Sequence, residues 1–413
     1  MGVKRVAVIG AGVVGLACAS RLRMRGCDVT LVDPRDPGSG CSYGNAGALS
    51  RASCVPLGLP GVLFKVPGWL ADPMGPLAIP PRYALAIAPW LWRFWRNTSM
   101  ERVKAISDAL HALLDPTVEK WRPLAAWAGV PELIRQEGYA FVYESEQAFA
   151  ADALGRELRR AHGVKIEVLE TGAIREFDPA LSPAITHMVL LPEQGHVPNP
   201  LRLSQALAAR LRAGGAAFVQ REALGFEIAE GRVKRILTSG DAIEADAVVI
   251  AAGAHSKPLA AKLGADVPLE SERGYHVMIE SPSMQPRIPV CSGEGKYFAT
   301  PMEGGLRVAG TVELGGLAAL PNYARADALL EGVKRLLPRL AHGTVDRWMG
   351  HRPSLPDSKP VIGRAPAASN AFFAFGHGHV GLTAAAPTAG IVEALVAGEA
   401  PPIDIRPFAA ERF

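Results

Sequence analysis

The stretch that most restricts what this chain can fold into is its first 33 residues. Val3 to Ile9 (VKRVAVI) is a short apolar, β-branched run and reads as a buried strand. It enters Gly10-Ala11-Gly12-Val13-Val14-Gly15 directly; an Ala/Leu/Arg-rich helix follows to Arg25, and Gly26 stops it. A second strand, Asp28 to Val32, ends in Asp33. Gly10 permits the tight turn off the strand, Gly12 lets backbone approach a pyrophosphate, and Gly15 lets helix and strand pack closely. The helix start offers N–H groups and partial positive charge to phosphates. Asp33, near the usual ~20-residue offset, suits a ribose 2′-hydroxyl. A glycine triplet alone is weak evidence. Inside a βαβ unit closed by an acid, it predicts a bound dinucleotide.

Composition narrows the remaining classes. A chain of 413 residues exceeds one ordinary core, which predicts two domains. A net charge of +4 with no basic, aromatic-interleaved run argues against a nucleic-acid partner. The five cysteines (Cys18, Cys27, Cys41, Cys54, Cys291) are odd in number and form no CxxC pair. Neither a disulfide framework nor a metal site is expected, and reduced thiols fit a cytoplasmic location. No signal peptide precedes the first strand, and no apolar run reaches the ~18 residues of a membrane-spanning helix.

Further along, Pro37 to Ala48 is a loop of small residues against which a flat ligand could lie. Residues 55–97 are apolar, aromatic and Pro-broken. They read either as an interfacial element lying on a bilayer or as a buried loop and helix start covering the active site, and the second reading is favoured. One helix is expected from Glu101 to about Ala128, and another from Glu146 to His162. Strands are expected at Tyr139–Ser145, Val164–Leu169, Ala217–Gln220, Arg273–Glu280, Lys296–Pro301 and Leu306–Val312. Leu201–Ala213 and Ala324–Leu337 read as helices, residues 226–238 as a hairpin, and Trp348 to Gly363 as a Pro-punctuated loop. The strand at Ala371–Phe375 leads to a final helix, Val380–Ala397.

Strand-to-glycine turns recur at Ile250-Ala251-Ala252-Gly253 and at Phe375-Gly376-His377-Gly378-His379-Val380-Gly381. The last would place amides at a helix start, where they stabilise negative charge. Both ends of the chain cradling one cofactor favours FAD over NAD.

At this point the chain resembles the FAD-dependent D-amino acid oxidase superfamily, most closely the bacterial D-amino acid dehydrogenases. Seven stretches, in order, carry the likeness: VAVIGAGVVGLACA with Asp33, SYGNAGALS (Ser42–Ser50), PWLWRFWRN (Pro89–Asn97), ERGYHVMI (Glu272–Ile279), GLRVAGTVEL (Gly305–Leu314), HRPSLPDSKPVIG (His351–Gly363) and GHGHVGLTAAAPTAG (Gly376–Gly390). The resemblance implies an α/β fold. A Rossmann-like FAD-binding domain (1–55, 145–260 and 345–413) would interleave with an antiparallel-sheet α+β substrate domain (56–144 and 261–344). It implies cofactor contacts at Gly10, Gly12, Val13, Val14, Gly15, Asp33, Pro34 and Arg35. Further contacts would come from Ser42, Gly44, Asn45, Ala46, Gly47, Ala48, Ala223, Ala251, Ala252, Gly253 and Gly350. The closing turn would add Gly376, His377, Gly378, His379, Val380, Gly381, Leu382 and Thr383. Relatives with covalent flavin use a cysteine near the C-terminal motifs; none lies beyond Cys291, so non-covalent FAD is expected.

The implied substrate is an amino acid whose carboxylate is gripped by Arg352, the family's carboxylate-binding arginine, through its bidentate fork. Tyr275 would add a phenol to that carboxylate. His379 stands where a glycine oxidase carries an arginine, and would touch substrate or tune flavin charge. His276, Tyr43 and Tyr297 are lesser candidates. The implied reaction is oxidative deamination of a D-amino acid to a 2-oxo acid, with hydride passing from Cα to flavin N5. Electrons would leave to a quinone or another non-oxygen acceptor. D-proline or hydroxy-D-proline oxidation, a glycine or sarcosine oxidase, and the flavin subunit of a larger complex are the alternatives. Hydride transfer needs positioning more than a strong base, so no acid/base residue is nominated. Peripheral contact with the cytoplasmic face of the inner membrane through residues 57–95 is the remaining partner expectation.

Overall fold

The computed structural model describes residues 4–72 and 75–413. The predicted βαβ unit forms: the strands Arg5–Ile9 and Asp28–Val32 pair in parallel across the Val13–Met24 helix. The expected first strand residue, Val3, lies outside the described residues. Parallel neighbours Ala247–Ile250, Ala368–Phe375 and Ala217–Val219 extend the sheet to both sides, and Val361–Ala365 closes one edge antiparallel. The central strand is apolar and buried from Val6 to Ile9 because both its faces are covered. Val6 and Val8 pack against the Val13–Met24, Pro200–Ala213 and Gly381–Ala397 helices. Ala7 and Ile9 pack against the Ser256–Lys262 helix and the Ala223–Ala229/Arg232–Thr238 hairpin.

The second sheet, nine-stranded among the described residues, is mostly antiparallel. It runs Val345–Ser354, Glu270–Ile279, Gly305–Leu314, Tyr297–Met302, Val290–Ser292, Tyr139–Tyr143, His187–Leu191, Glu167–Glu170, with Leu77–Ala78 beside Gly305–Leu314. The fold class thus matches the expectation, a parallel α/β sheet joined to an antiparallel one.

Several expectations need correction. Glu167–Glu170 and His187–Leu191 lie in the second sheet, although 145–260 was assigned to the nucleotide unit; HMVLL finds its apolar partner in YAFVY. Val345–Ser354 also joins that sheet, pairing with Glu270–Ile279 along its full length, so Arg352 stands on a strand and not in a loop. Pro353 is tolerated because this strand is an edge, where a missing N–H breaks no ladder. The expected helix from 101 to 128 is two, Met100–Leu114 and Thr117–Trp127, because Asp115 before Pro116 is extended. The helix expected over 146–162 breaks at Asp152 into Glu146–Ala151 and Ala153–Ala161.

The buried-cover reading of 55–97 fails for half its surface. Two helices form, Val62–Ala71 and Ala84–Arg96. Ile87 and Trp90 turn inward, but Phe64 is 92% and Leu85 91% exposed, and Trp92 and Trp95 face solvent as well. Against expectation, one helical stretch, Gly378–Ala397, is long and apolar enough to cross a bilayer by length and composition; it is mostly buried here, packed on Val13–Met24.

Candidate active site

One cavity of about 910 Å³ extends from Gly10 and Asp33 to Arg352 and His379. That is at the upper end of the ~300–1,000 Å³ usual for ligand sites. At the nucleotide end Gly10 has φ +107°, and a Cβ there would lie 2.3 Å from the Ala251 carbonyl oxygen. A Cβ on Gly15 would lie 2.0 Å from the Gly10 oxygen, so this glycine serves helix–strand packing and stays off the cavity. The Val13–Met24 helix begins at Gly12 with no acidic residue in its first turn; Ser42 Oγ accepts from the Val13 N–H at 2.8 Å, and the other first-turn amides leave a positive end for an anion. Asp33 accepts from the Ala11 N–H at 2.8 Å and the Arg35 N–H at 2.9 Å, which ties the glycine turn to the second strand. Its carboxylate oxygens retain further lone pairs for a ribose. A helix start that opens on the cavity, a backbone approach that admits no side chain and an acid at the strand end fit a dinucleotide such as FAD.

The Ser42–Ala48 loop is locked by its carbonyls. Asn45 Nδ2 donates to Ser42 O, Arg307 Nη1 to Tyr43 O and Asn45 O, His276 Nδ1 to Gly44 O, and Thr300 Oγ1 to Ala46 O. The Val197 N–H reaches Gly47 O and Thr383 Oγ1 reaches Ala48 O. All seven carbonyls are therefore held, mainly by strands of the second sheet and the C-terminal helix. Burial lowers Arg307 to about 10 and His276 to about 3. Trp348 stacks on His276 and fills the space over Gly44 and Gly350, where a Cβ would come within 2.0 Å of its ring. The predicted residue Gly47 supports the loop from behind the cavity wall, packed on Val197.

At the other end, three elements bring three charged or ionisable groups together. Arg352 Nη1 lies 3.2 Å from Glu272 Oε1 and 2.9 Å from Thr311 O, and Nη2 lies 3.3 Å from Gly310 O. His379, in the Gly378–Val380 turn, bonds through Nε2 to the same Glu272 oxygen. Glu272 is 3% exposed. Burial alone would raise it, but His379, Arg352 and a Ser354 hydroxyl outweigh burial and hold it down to about 2. Gly274 makes room for the guanidinium: a Cβ there would lie 2.1 Å from Arg352 Cζ.

Of the predicted site residues, Arg352 and His379 are brought together. Tyr275 lines the cavity, but its hydroxyl donates to Glu313 and accepts from the Asn322 N–H. Burial and Glu313 push it up to about 12. Tyr297 points into the core, bonded to Gly332 O, and His276 and Tyr43 support the loop. Gly12, Val13, Val14, Asp33, Arg35, Ser42, Gly44, Asn45, Ala46, Ala48, Ala251, Ala252, Gly253 and Gly350 all line the cavity, as do Gly376 to Thr383. Pro34 and Ala223 do not; Ala223 opens the hairpin and packs, partly buried, against the core beneath it. Sequence reasoning missed Glu272. Its signal was a cluster of charges, Glu270, Glu272 and Arg273, at the start of a strand that is buried along nearly its whole length.

A parallel dinucleotide sheet joined to a substrate-type sheet, with an arginine–carboxylate–histidine unit in their shared cavity, defines a cofactor-dependent oxidoreductase. The chain belongs to the DAO family of FAD-dependent oxidoreductases, whose model matches residues 5–395. It is 41% identical over 417 residues to a D-amino-acid oxidase of Bradyrhizobium diazoefficiens, covering 99% of both chains. It is 31% identical to a D-amino acid dehydrogenase of Rhizobium johnstonii, covering 99% of this chain and 100% of that one. In fold it is similar to glycine oxidase from Geobacillus kaustophilus, with TM-score 0.76, 23% identity and 99% of both chains covered.

Proposed function

We propose that this chain oxidises D-amino acids to 2-oxo acids, using non-covalent FAD held by the six-stranded sheet and binding substrate against the nine-stranded sheet. The observation that carries this reading is Arg352 lying in one cavity with the glycine-rich cradle. The relatives named for D-amino acid oxidation support it along nearly the whole length. FAD, when bound, supplies the hydride acceptor. The protein's own part is to fix the substrate carboxylate on Arg352, turn Cα toward the cradle and exclude water. Gly376 to Thr383, at the start of the C-terminal helix, would offer amides to the flavin ring.

For the electron acceptor we favour a quinone over oxygen. The outer part of the cavity is lined by Val62, Trp69, Leu77, Ile79, Trp90 and Phe94, which suits an apolar acceptor. The Val62–Ala71 and Ala84–Arg96 helices expose Phe64, Leu85, Trp92 and Trp95 beside Arg82, Arg93 and Arg96, which suits peripheral attachment to an anionic bilayer. Oxygen is the second reading, favoured by the more similar relative being named an oxidase.

The test is anaerobic bleaching of the bound flavin by a panel of D-amino acids, with D-proline, hydroxy-D-proline, L-isomers, glycine and sarcosine included. Bleaching by D-isomers alone supports the reading; bleaching only by glycine or sarcosine overturns it. Re-oxidation of the bleached enzyme faster by a short-chain quinone than by air supports the quinone, and the reverse order assigns oxygen.

A further inference from the structure

A D-amino acid arrives as a zwitterion, and its ammonium must lose a proton before the nitrogen lone pair can assist loss of the Cα hydrogen. The question is where that proton goes. Resting on the function proposed above, we infer that His379 takes the substrate ammonium's proton and that Glu272 is the positioning residue that makes this possible.

Arg352 is not a free cation awaiting a carboxylate, because its guanidinium already lies 3.2 Å from the buried Glu272 carboxylate. A substrate carboxylate on Arg352 would put two anions around one cation. The bonded unit stays neutral with a bound zwitterion if His379 is uncharged: guanidinium plus carboxylate, ammonium plus carboxylate. Moving one proton from ammonium to imidazole leaves guanidinium and imidazolium against Glu272 and the substrate carboxylate. The sum is again zero, with no charge imported into the cavity.

The geometry sets the direction of that transfer. Glu272 is pinned beside a guanidinium, and an ionised carboxylate only accepts hydrogen bonds. The His379 nitrogen facing it, Nε2, is therefore the donor, and the neutral ring carries its lone pair on Nδ1. His379 is 36% exposed in its side chain and lines the cavity, so Nδ1 is open to a substrate while Nε2 stays anchored. In the step, an N–H bond of the ammonium breaks, its electron pair stays on nitrogen, and the proton forms the Nδ1–H bond. The proton returns to solvent when product leaves.

Four other titratable groups border the unit, and burial moves each of them away from neutral pH. His377, on the same turn and bonded to Thr388, is held by burial down to about 3. His351, bonded to Ser271 on the neighbouring strand, is held by burial down to about 4. Burial raises Cys41 to about 11, and burial with Glu313 raises Tyr275 to about 12. Arg159 and Lys296 also line the cavity, with Arg159 stacked over the Phe141 ring.

The experiment uses FAD-loaded enzyme, His379→Gln and Glu272→Gln, with the fastest-reducing D-amino acid of the panel. In His379→Gln, anaerobic bleaching near pH 7 should fall about 100-fold and recover about tenfold per pH unit toward the pKa of the free amine. The Glu272→Gln profile should move toward that of His379→Gln. If Glu272→Gln loses FAD or fails to fold, the half-exposed His379 carries the test alone. An unchanged pH profile in His379→Gln overturns the inference while leaving D-amino acid oxidation standing. No bleaching of the unaltered enzyme by any D-amino acid overturns both. A second readout needs no turnover. Binding of propionate, a carboxylate without an amine, should draw about one proton from weakly buffered solution into the unaltered enzyme, followed with an indicator dye, and none into His379→Gln. Propionate binding without proton uptake overturns the inference.

Discussion

At the scale of single residues, the site is built from absences of side chain as much as from functional groups. Gly274 leaves the space that Arg352 occupies, and adding one methyl would displace the guanidinium. Gly274→Ala should raise KM for a D-amino acid by about 10–100-fold, the ~1.5–3 kcal/mol of a charged hydrogen bond, while the flavin spectrum stays intact. Arg352→Lys should do likewise, since an ammonium cannot reproduce the fork. Normal KM in both variants would move carboxylate binding elsewhere. Arg307 gives the opposite phenotype. It holds two carbonyls of the Ser42–Ala48 loop, so Arg307→Met leaves them unpaired in a buried setting. FAD should then leave at least about tenfold faster on dilution, followed by flavin fluorescence. Glu272 shows the limit of reading residues singly. Beside Arg273 in the sequence it looks like half of a surface ion pair, whereas the strand's alternation sends the two to opposite faces.

At the scale of elements, the Val62–Ala71 and Ala84–Arg96 helices are amphipathic in an unusual sense. Their inner residues line the cavity and their outer residues are also apolar. Phe64→Ser with Leu85→Ser removes the two most exposed large apolar side chains among the described residues. At ~25 cal/mol per Å² of buried apolar area, this should weaken binding to anionic vesicles by more than tenfold in a sedimentation assay, with flavin bleaching by D-amino acid unchanged. Equal sedimentation of variant and parent would remove the membrane from the account. These helices were read from sequence as apolar and aromatic, but which side faced water depended on Leu314 and Val312 of the second sheet receiving Ile87 and Trp90.

At the scale of the whole molecule, three buried histidines and the half-buried His351 link stability to pH. Burial holds His276 and His377 down to about 3 and His196 and His351 down to about 4, against an ordinary 6.5. The unfolded chain takes up these protons first, so their contribution is complete above about pH 6.5 and is lost as pH falls through 6.5 toward 4. Glu272, held at about 2 against 4.5, adds a loss between those values. Each group contributes up to ~1.4 kcal/mol per pH unit. The thermal midpoint should therefore fall from pH 6.5 to 5, before most carboxylates titrate, and His276→Gln with His377→Gln should flatten that limb. A midpoint unchanged down to pH 5 would contradict it.

The sequence by itself determined the βαβ unit, its glycine turn, the two recurring turns and the strands flanking them. Those features rest on local rules: alternation of apolar residues, glycine's freedom at positive φ and a helix start at a glycine. It also placed Arg352 and His379 among the site residues. Tertiary structure alone decided what lies between them. Val345–Ser354 became a strand because Glu270–Ile279 offered a ten-residue partner, a contact between segments far apart in the chain. That pairing set Arg352 against Gly274 and left Glu272 within reach of His379, which lies in a turn 107 residues beyond it in the chain. Periodicity and propensity act over a few residues, so they cannot show which buried charge will find which partner. Only the register between distant strands fixes that.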